Sequence, residues 1–204
     1  METTWFHEFT CMISGPTGCG KTVWVKKFID NLTEMMAPTP EEIIWCYGEY
    51  QPIFNDIKGV EFVEGIPKIE NWEVGKRRLV IIDDLMNETD ENVSKIFSRG
   101  SHHRSMSVFY IVQNLFNKNK EHRTISLNCH YMVIFKNPRD SGQIAQLGRQ
   151  MYPGKVKYVQ EAFKDATARS YGYLLFDLRQ TTPDHLRLRT NIFPGERHTV
   201  YIQK

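Results

Sequence analysis

Apolar residues fall along this chain in two alternating rhythms, and the alternation predicts the fold before any motif is read. Short apolar runs bounded by polar or turn residues read as strands: Phe9 to Ser14, Glu42 to Tyr47, Val60 to Val63, Leu79 to Ile82, Ser107 to Gln113 and Tyr131 to Phe135. Between the first two, Val23, Val25, Phe28, Ile29 and Leu32 recur at roughly helical spacing, which predicts a helix over Lys21 to Met36. Ala37-Pro38-Thr39-Pro40 stops it, because proline cannot continue a helix. Further helices are predicted over about Asp90 to Arg99, Asp140 to Met151 and Val156 to Ala168, with a polar loop at Asn117 to Arg123. Strands near Gly172 to Leu178 and Leu186 to Thr190 close the chain. Buried strands separated by helices predict an α/β fold: a mostly parallel central sheet with helices on both faces and an antiparallel C-terminal addition.

Composition narrows the class. A chain of 204 residues, 41% hydrophobic and with 4 Cys, can bury roughly 70% of its unfolded surface in one core. No repeat or low-complexity segment breaks it, so residues 1–204 are expected to form a single domain. Disordered, collagenous and disulfide-scaffold classes are excluded. The apolar runs fall well short of the roughly 18 to 20 residues that span a bilayer, so no membrane association is expected. The N-terminus lacks a basic segment followed by an apolar stretch and a small-residue cleavage site, so an intracellular protein is expected. Cys11, Cys19, Cys46 and Cys129 form no CxxC pair and read as reduced thiols. The formal net charge is +2, yet residues 1–100 carry 10 Lys+Arg against 17 Asp+Glu and residues 101–204 carry 16 against 7. A polyanion could be met by the second half, unless folding interleaves the two.

The strongest chemical signal is Gly15-Pro16-Thr17-Gly18-Cys19-Gly20-Lys21-Thr22, which fits G-x-x-x-x-G-K-[ST] without departure. It follows an apolar strand and opens a helix, as its mechanism requires. The glycines let backbone N–H groups curl toward phosphate oxygens, Lys21 can reach the β- and γ-phosphates of ATP, and the Thr22 hydroxyl can ligate Mg²⁺.

Arg78 to Asp84 is an apolar strand ending in two carboxylates, the pattern of a Walker B element. Asp83 would then hold Mg²⁺ through water, and Asp84 would orient the attacking water, which suits hydrolysis better than nucleotide holding. A helix cap or a solvated turn is the other reading of that acid pair. Gln113, at the end of the strand from Ser107, can sense the γ-phosphate or its water, or simply cap a loop. Arg104, then Arg139, Arg99 and Arg149, are candidates for an arginine finger given to a neighbouring subunit, against the alternative of solvated surface residues. His102-His103-Arg104 and the basic residues from Lys118 to Arg123 could touch DNA phosphate. A nucleotide kinase and a nucleotide-dependent switch share the P-loop, but no Arg-rich lid is visible and the adjacent acids suit water activation.

These elements, with Phe97 to Arg104 leading to Tyr110 to Asn114, then Tyr131 to Asp140, Gln150 to Pro153 and Thr181 to Asn191, resemble the genome-packaging ATPases of polinton, adintovirus and related large DNA virus elements. That family lies within the FtsK/HerA superfamily of P-loop ATPases, and the similarity covers nearly the whole chain. The resemblance implies a RecA-like core of ASCE type and a homo-oligomeric ring, pentamer or hexamer, with ATP sites at its interfaces. It also implies a trans-acting arginine, which fits Arg104, and translocation of double-stranded DNA into a capsid, with capsid or portal partners at intracellular assembly sites. Many members carry Glu where this chain has Asp84, whose carboxylate is a methylene shorter in reach.

Overall fold

The computed structural model describes residues 4–67, 72–83, 85, 93, 96–97, 105–116 and 120–203, with the backbone alone at 120 and 121. Its elements run in chain order as β1 (Trp5–Phe6), β2 (Thr10–Ser14), α1 (Lys21–Asp30), α2 (Leu32–Met35), β3 (Met36–Ala37), β4 (Glu42–Tyr47) and β5 (Glu61–Glu64). There follow β6 (Arg78–Asp83), β7 (Met106–Val112), α3 (Lys120–Leu127), β8 (Tyr131–Phe135), α4 (Gly142–Met151), α5 (Val156–Ala166), β9 (Tyr173–Asp177), β10 (Leu188–Thr190) and β11 (Thr199–Tyr201).

Nine of the strands form one sheet in the order β11-β10-β9-β8-β2-β7-β6-β4-β5, and β1 and β3 make a separate parallel pair. From β8 to β5 every pairing is parallel, whereas β8 to β9, β9 to β10 and β10 to β11 are antiparallel. Because side chains alternate along a strand, each central strand feeds two cores. Cys11, Ile13, Leu79, Ile81, Phe109, Ile111, Tyr131 and Val133 point to the face covered by α1, where they meet Trp24, Val25 and Phe28. Met12, Val80, Ile82, Val108, Tyr110, Met132 and Ile134 point to the other face, where they meet Ile144, Leu147, Val159 and Ala162 of α4 and α5. Strands β2, β6, β7, β8 and β9 are buried along their whole length, as the continuous apolar runs require.

Several elements differ from the expectation. The helix from Lys21 breaks at Asn31, whose side-chain Nδ2 donates to Lys27 O at 2.8 Å; a short amide that bonds nearby backbone competes with the helical ladder. The stretch expected as a polar loop to Arg123 is already helical from Lys120. It buries His122, Ile125 and Ser126 and exposes Arg123, Thr124 and Leu127, a stripe with too few apolar positions to register as periodic. β1 and β11, of two and three residues, are too short to show a pattern. Most of the helix expected over Asp90 to Arg99 lies outside the described residues.

At the edge of the sheet remote from the ends of β2 and β6, Asp177 closes β9 with its carboxylate fully buried. It accepts from Arg179 Nε and NH2 at 3.2 and 3.0 Å, from Thr182 Oγ1 at 2.9 Å and from Arg189 NH2 at 2.5 Å. Arg187 NH1 donates to the carbonyls of Asp177 and Arg179. The polar block from Thr181 to Asn191 therefore serves, in good part, to satisfy one buried acid. Removing that charge strands the buried Arg189. Asp177→Asn is expected to lower the unfolding free energy by about 3 kcal/mol or more, and Arg179→Ala, at a partly exposed guanidinium, by clearly less, as read by urea titration of both variants.

Candidate functional site

In a parallel sheet the C-terminal ends of the strands gather at one edge, and the polar loops after them converge there. Here those loops include Gly15 to Gly20 after β2, the residues after β4, Asp83 at the end of β6 and Gln113 after β7. The P-loop is stitched to the sheet at its start, where Gly15 N–H donates to Val112 O at 3.2 Å, and within itself, where Cys19 N–H donates to Pro16 O at 3.2 Å. Gly18 (φ 77°) and Gly20 (φ 103°) take the left-handed conformation that bends the loop back over the start of α1. Trp24 N–H donates to Gly20 O at 2.9 Å, so α1 begins directly behind the loop. A β-carbon on Gly15 would lie 2.6 Å from Cys19 Sγ and 2.8 Å from Phe135 Cβ, so the close packing of loop on β8 excludes any other residue.

Lys21 folds over this loop. Its Nζ donates to Gly15 O at 2.5 Å and to Pro16 O at 3.0 Å, and the side chain is half-buried. Thr22 follows on the first turn of α1, half-buried. Burial raises the pKa of Cys19 above the usual thiol range, so at neutral pH the loop carries a thiol and no thiolate charge.

Across from the loop, Asp83 is 4% exposed. Its Oδ2 accepts from Trp45 Nε1 at 3.3 Å and from Gln51 Nε2 at 3.5 Å. Thr17, Lys21, Thr22, Gln51, Asp83 and Tyr171 line one cleft of about 520 Å³. The structure thus brings Lys21, Thr22 and Asp83, expected from the sequence to meet, into one cleft. Among the described residues, no group of three or more His, Cys, Asp or Glu could cage a metal. Thr22 and Asp83 are the cleft oxygens that could hold Mg²⁺, an ion that takes one or two protein oxygens when phosphate and water complete its shell.

Gln113 is exposed one residue past β7 and is not among the described residues lining the cleft. Arg139, just after β8, and Arg149, in the last turn of α4, are both exposed. Asp84, Arg99, His102, His103, Arg104 and Lys118 lie outside the described residues. Sequence reasoning missed Gln51 and Tyr171. Gln51 could have been found from its place after β4, a strand neighbouring β6 whose Tyr47 is in register with Asp83. Tyr171 gave no local signal, because only the fold brings it to the P-loop.

No protein-family model matches the chain, and no curated protein does. Among solved structures, the cytoplasmic domain of the type VII secretion ATPase EccC of Thermomonospora curvata superposes with TM-score 0.56 at 12% identity, over 89% of this chain and 25% of that one. A structure of EccC ATPases 2 and 3 with a signal sequence peptide gives 0.47 at 10% identity, over 66% of this chain and 31% of that one. The assembled type III secretion ATPase EscN of enteropathogenic E. coli gives 0.40 at 11%, over 73% and 46%. The first superposition shows a fold shared with that ATPase domain, and this chain spans about a quarter of that neighbour's length.

The two ways in which the loop depends on glycine separate by experiment. Gly15→Ala must displace Cys19 and Phe135 and is expected to cost about 2 to 3 kcal/mol of stability. Gly18→Ala meets nothing within 4 Å and should cost only the left-handed strain, about 1 kcal/mol; chemical denaturation of the two variants measures the difference.

Proposed function

We propose that this chain is a Mg²⁺-dependent ATPase whose turnover drives a DNA-translocating ring. The observation that carries the ATPase reading is that Lys21, Thr22 and Asp83 face one another across a single cleft at the C-terminal edge of the parallel strands. In this reading the N–H groups from Gly18 to Thr22 cradle the phosphates, and Lys21 leaves Gly15 O and Pro16 O to pair with the β- and γ-oxygens. Bound Mg²⁺ supplies neutralisation of phosphate charge, with Thr22 and Asp83 as its holders. Trp45 and Gln51 fix the Asp83 carboxylate by donating to one of its oxygens. Asp84, next in the chain, is assigned the orientation of water, and Gln113 the sensing of the γ-phosphate.

The order β2-β7-β6 supports the ASCE assignment, since a strand stands between the P-loop strand and the one that bears Asp83. That added strand ends between the other two, with Gln113 one residue beyond it. The motor reading rests on the sequence resemblance and on the basic second half of the chain. It assigns Arg104 as the finger supplied to the neighbouring subunit, and it makes the DNA grip a backbone grip, independent of sequence and weakened by salt. The cargo, capsid partners and ring size belong to this finer part of the proposal.

Steady-state hydrolysis, with and without long double-stranded DNA at two salt concentrations, tests both parts. Lys21→Ala and Asp83→Asn are each expected to reduce kcat by about 100-fold or more, in the range of a removed transition-state charge partner. Asp84→Asn should keep ATP binding and lose hydrolysis. Full activity in Lys21→Ala would sink the ATPase reading, whereas turnover indifferent to DNA at both salts would remove the DNA motor and leave the ATPase.

A further inference from the structure

The phosphate cleft does not end at the P-loop. It shares Gly20, Val23 and Tyr171 with a second cavity of about 270 Å³ whose other walls are the rings of Trp24, Phe135, Tyr173 and Phe193. The two therefore adjoin around the first turn of α1. Sheet order fixes their directions: β6 with Asp83 lies on one side of β2, and β8 and β9 with Phe135 and Tyr173 lie on the other. A polyphosphate laid along the P-loop with its terminal phosphate toward Asp83 directs its opposite end to the Tyr171 side, where this aromatic cavity opens beside a more polar recess of about 400 Å³ lined by Gly18, Lys136 and Arg169.

Tyr171 stands at the join. It is 71% exposed although it is large and apolar for most of its length, and it takes φ 60°, uncommon for a residue with a bulky side chain. The turn holds it there: Gly172 N–H donates to Arg169 O at 3.1 Å, and a β-carbon on Gly172 would lie 2.5 Å from Ala166 O. The Tyr171 ring comes within 3.2 Å of the position a β-carbon on Gly20 would occupy, so it closes directly on the P-loop's last glycine. Deeper in, Phe193 packs edge-on against Trp24 at 5.3 Å between centroids, and Lys27 Nζ lies 4.6 Å from the Phe193 ring centroid while it pairs with Glu196 at the rim. A flat aromatic group suits this cavity, and a phosphate, which would lose its water to hydrocarbon, does not.

On the proposed ATPase reading, we infer that this cavity receives the nucleobase and that Tyr171 is the residue that stacks on it. Affinity for ATP then has two separable parts, phosphate on the P-loop and base in the aromatic cavity. Inorganic tripolyphosphate engages only the first. Calorimetric titration of the full chain with ATP and with tripolyphosphate distinguishes them in the wild type, Tyr171→Gly and Tyr171→Phe. Glycine suits the left-handed φ, so the ring is removed without backbone strain. Tyr171→Gly is expected to bind ATP about tenfold more weakly or worse, the range of a lost base–aromatic stack, with tripolyphosphate affinity unchanged and Tyr171→Phe close to wild type. Equal losses for both ligands, or no loss for ATP, would overturn the base site while leaving the P-loop intact. A wild-type protein that binds neither ligand would overturn the phosphate reading and this inference with it.

Discussion

The double pairing of β2 is the constraint on which the rest depends. It is a central strand with parallel neighbours on both sides, β7 and β8, and both of its faces are buried. Its backbone groups are committed to those ladders, and Cys11 and Ile13 are locked into one core while Met12 is locked into the other. A register slip would turn every one of these side chains to the wrong face. The strand therefore ends at a fixed point, and the loop that leaves it at Gly15 starts from a fixed direction. Asp83 is placed by the same sheet, through β6 and β7. The spacing between the P-loop and the buried acid is thus a property of strand pairing, independent of the loops that separate them in sequence.

The parts of this arrangement that were legible in sequence are those written in local chemistry. β4 and β8 run over the residues expected of them, and for β8 the reason is that a strand buried on both faces has no polar positions to blur its ends. The P-loop was legible because its mechanism demands particular residues at particular offsets. What could not be read depends on contacts between distant residues. Asn31 breaks a helix by donating its side-chain amide to Lys27 O, a choice that periodicity does not report. Gln51 gains meaning only beside Asp83, and Tyr171 only beside Gly20, some 150 residues away in the chain. The network around Asp177 was hidden for the same reason, since the burial of that acid comes only from the packed sheet.

The fold also divides labour between the two ends of the sheet. At one, polar groups are left facing a cleft, with glycines where close approach is needed. At the other, Asp177 gathers three side-chain donors and keeps none of its oxygens for solvent. The antiparallel strands that carry this network add two connections to the C-terminal edge of the parallel strands, residues 191–198 with Phe193 and the turn from Thr167 to Gly172. That turn is the one that presents Tyr171.

The resting position of Lys21 has a consequence for selectivity. Its ammonium group is already solvated by the carbonyls of Gly15 and Pro16, so an incoming anion must compete for it. Occupying the loop is a substitution reaction, in which two internal dipoles are exchanged for external charge. A lone sulfate or orthophosphate offers little in return for the exchange, whereas a chain of linked phosphates can hold the loop amides and the ammonium group together. The exchange therefore favours a ligand according to how many of the loop's donors it reaches at once.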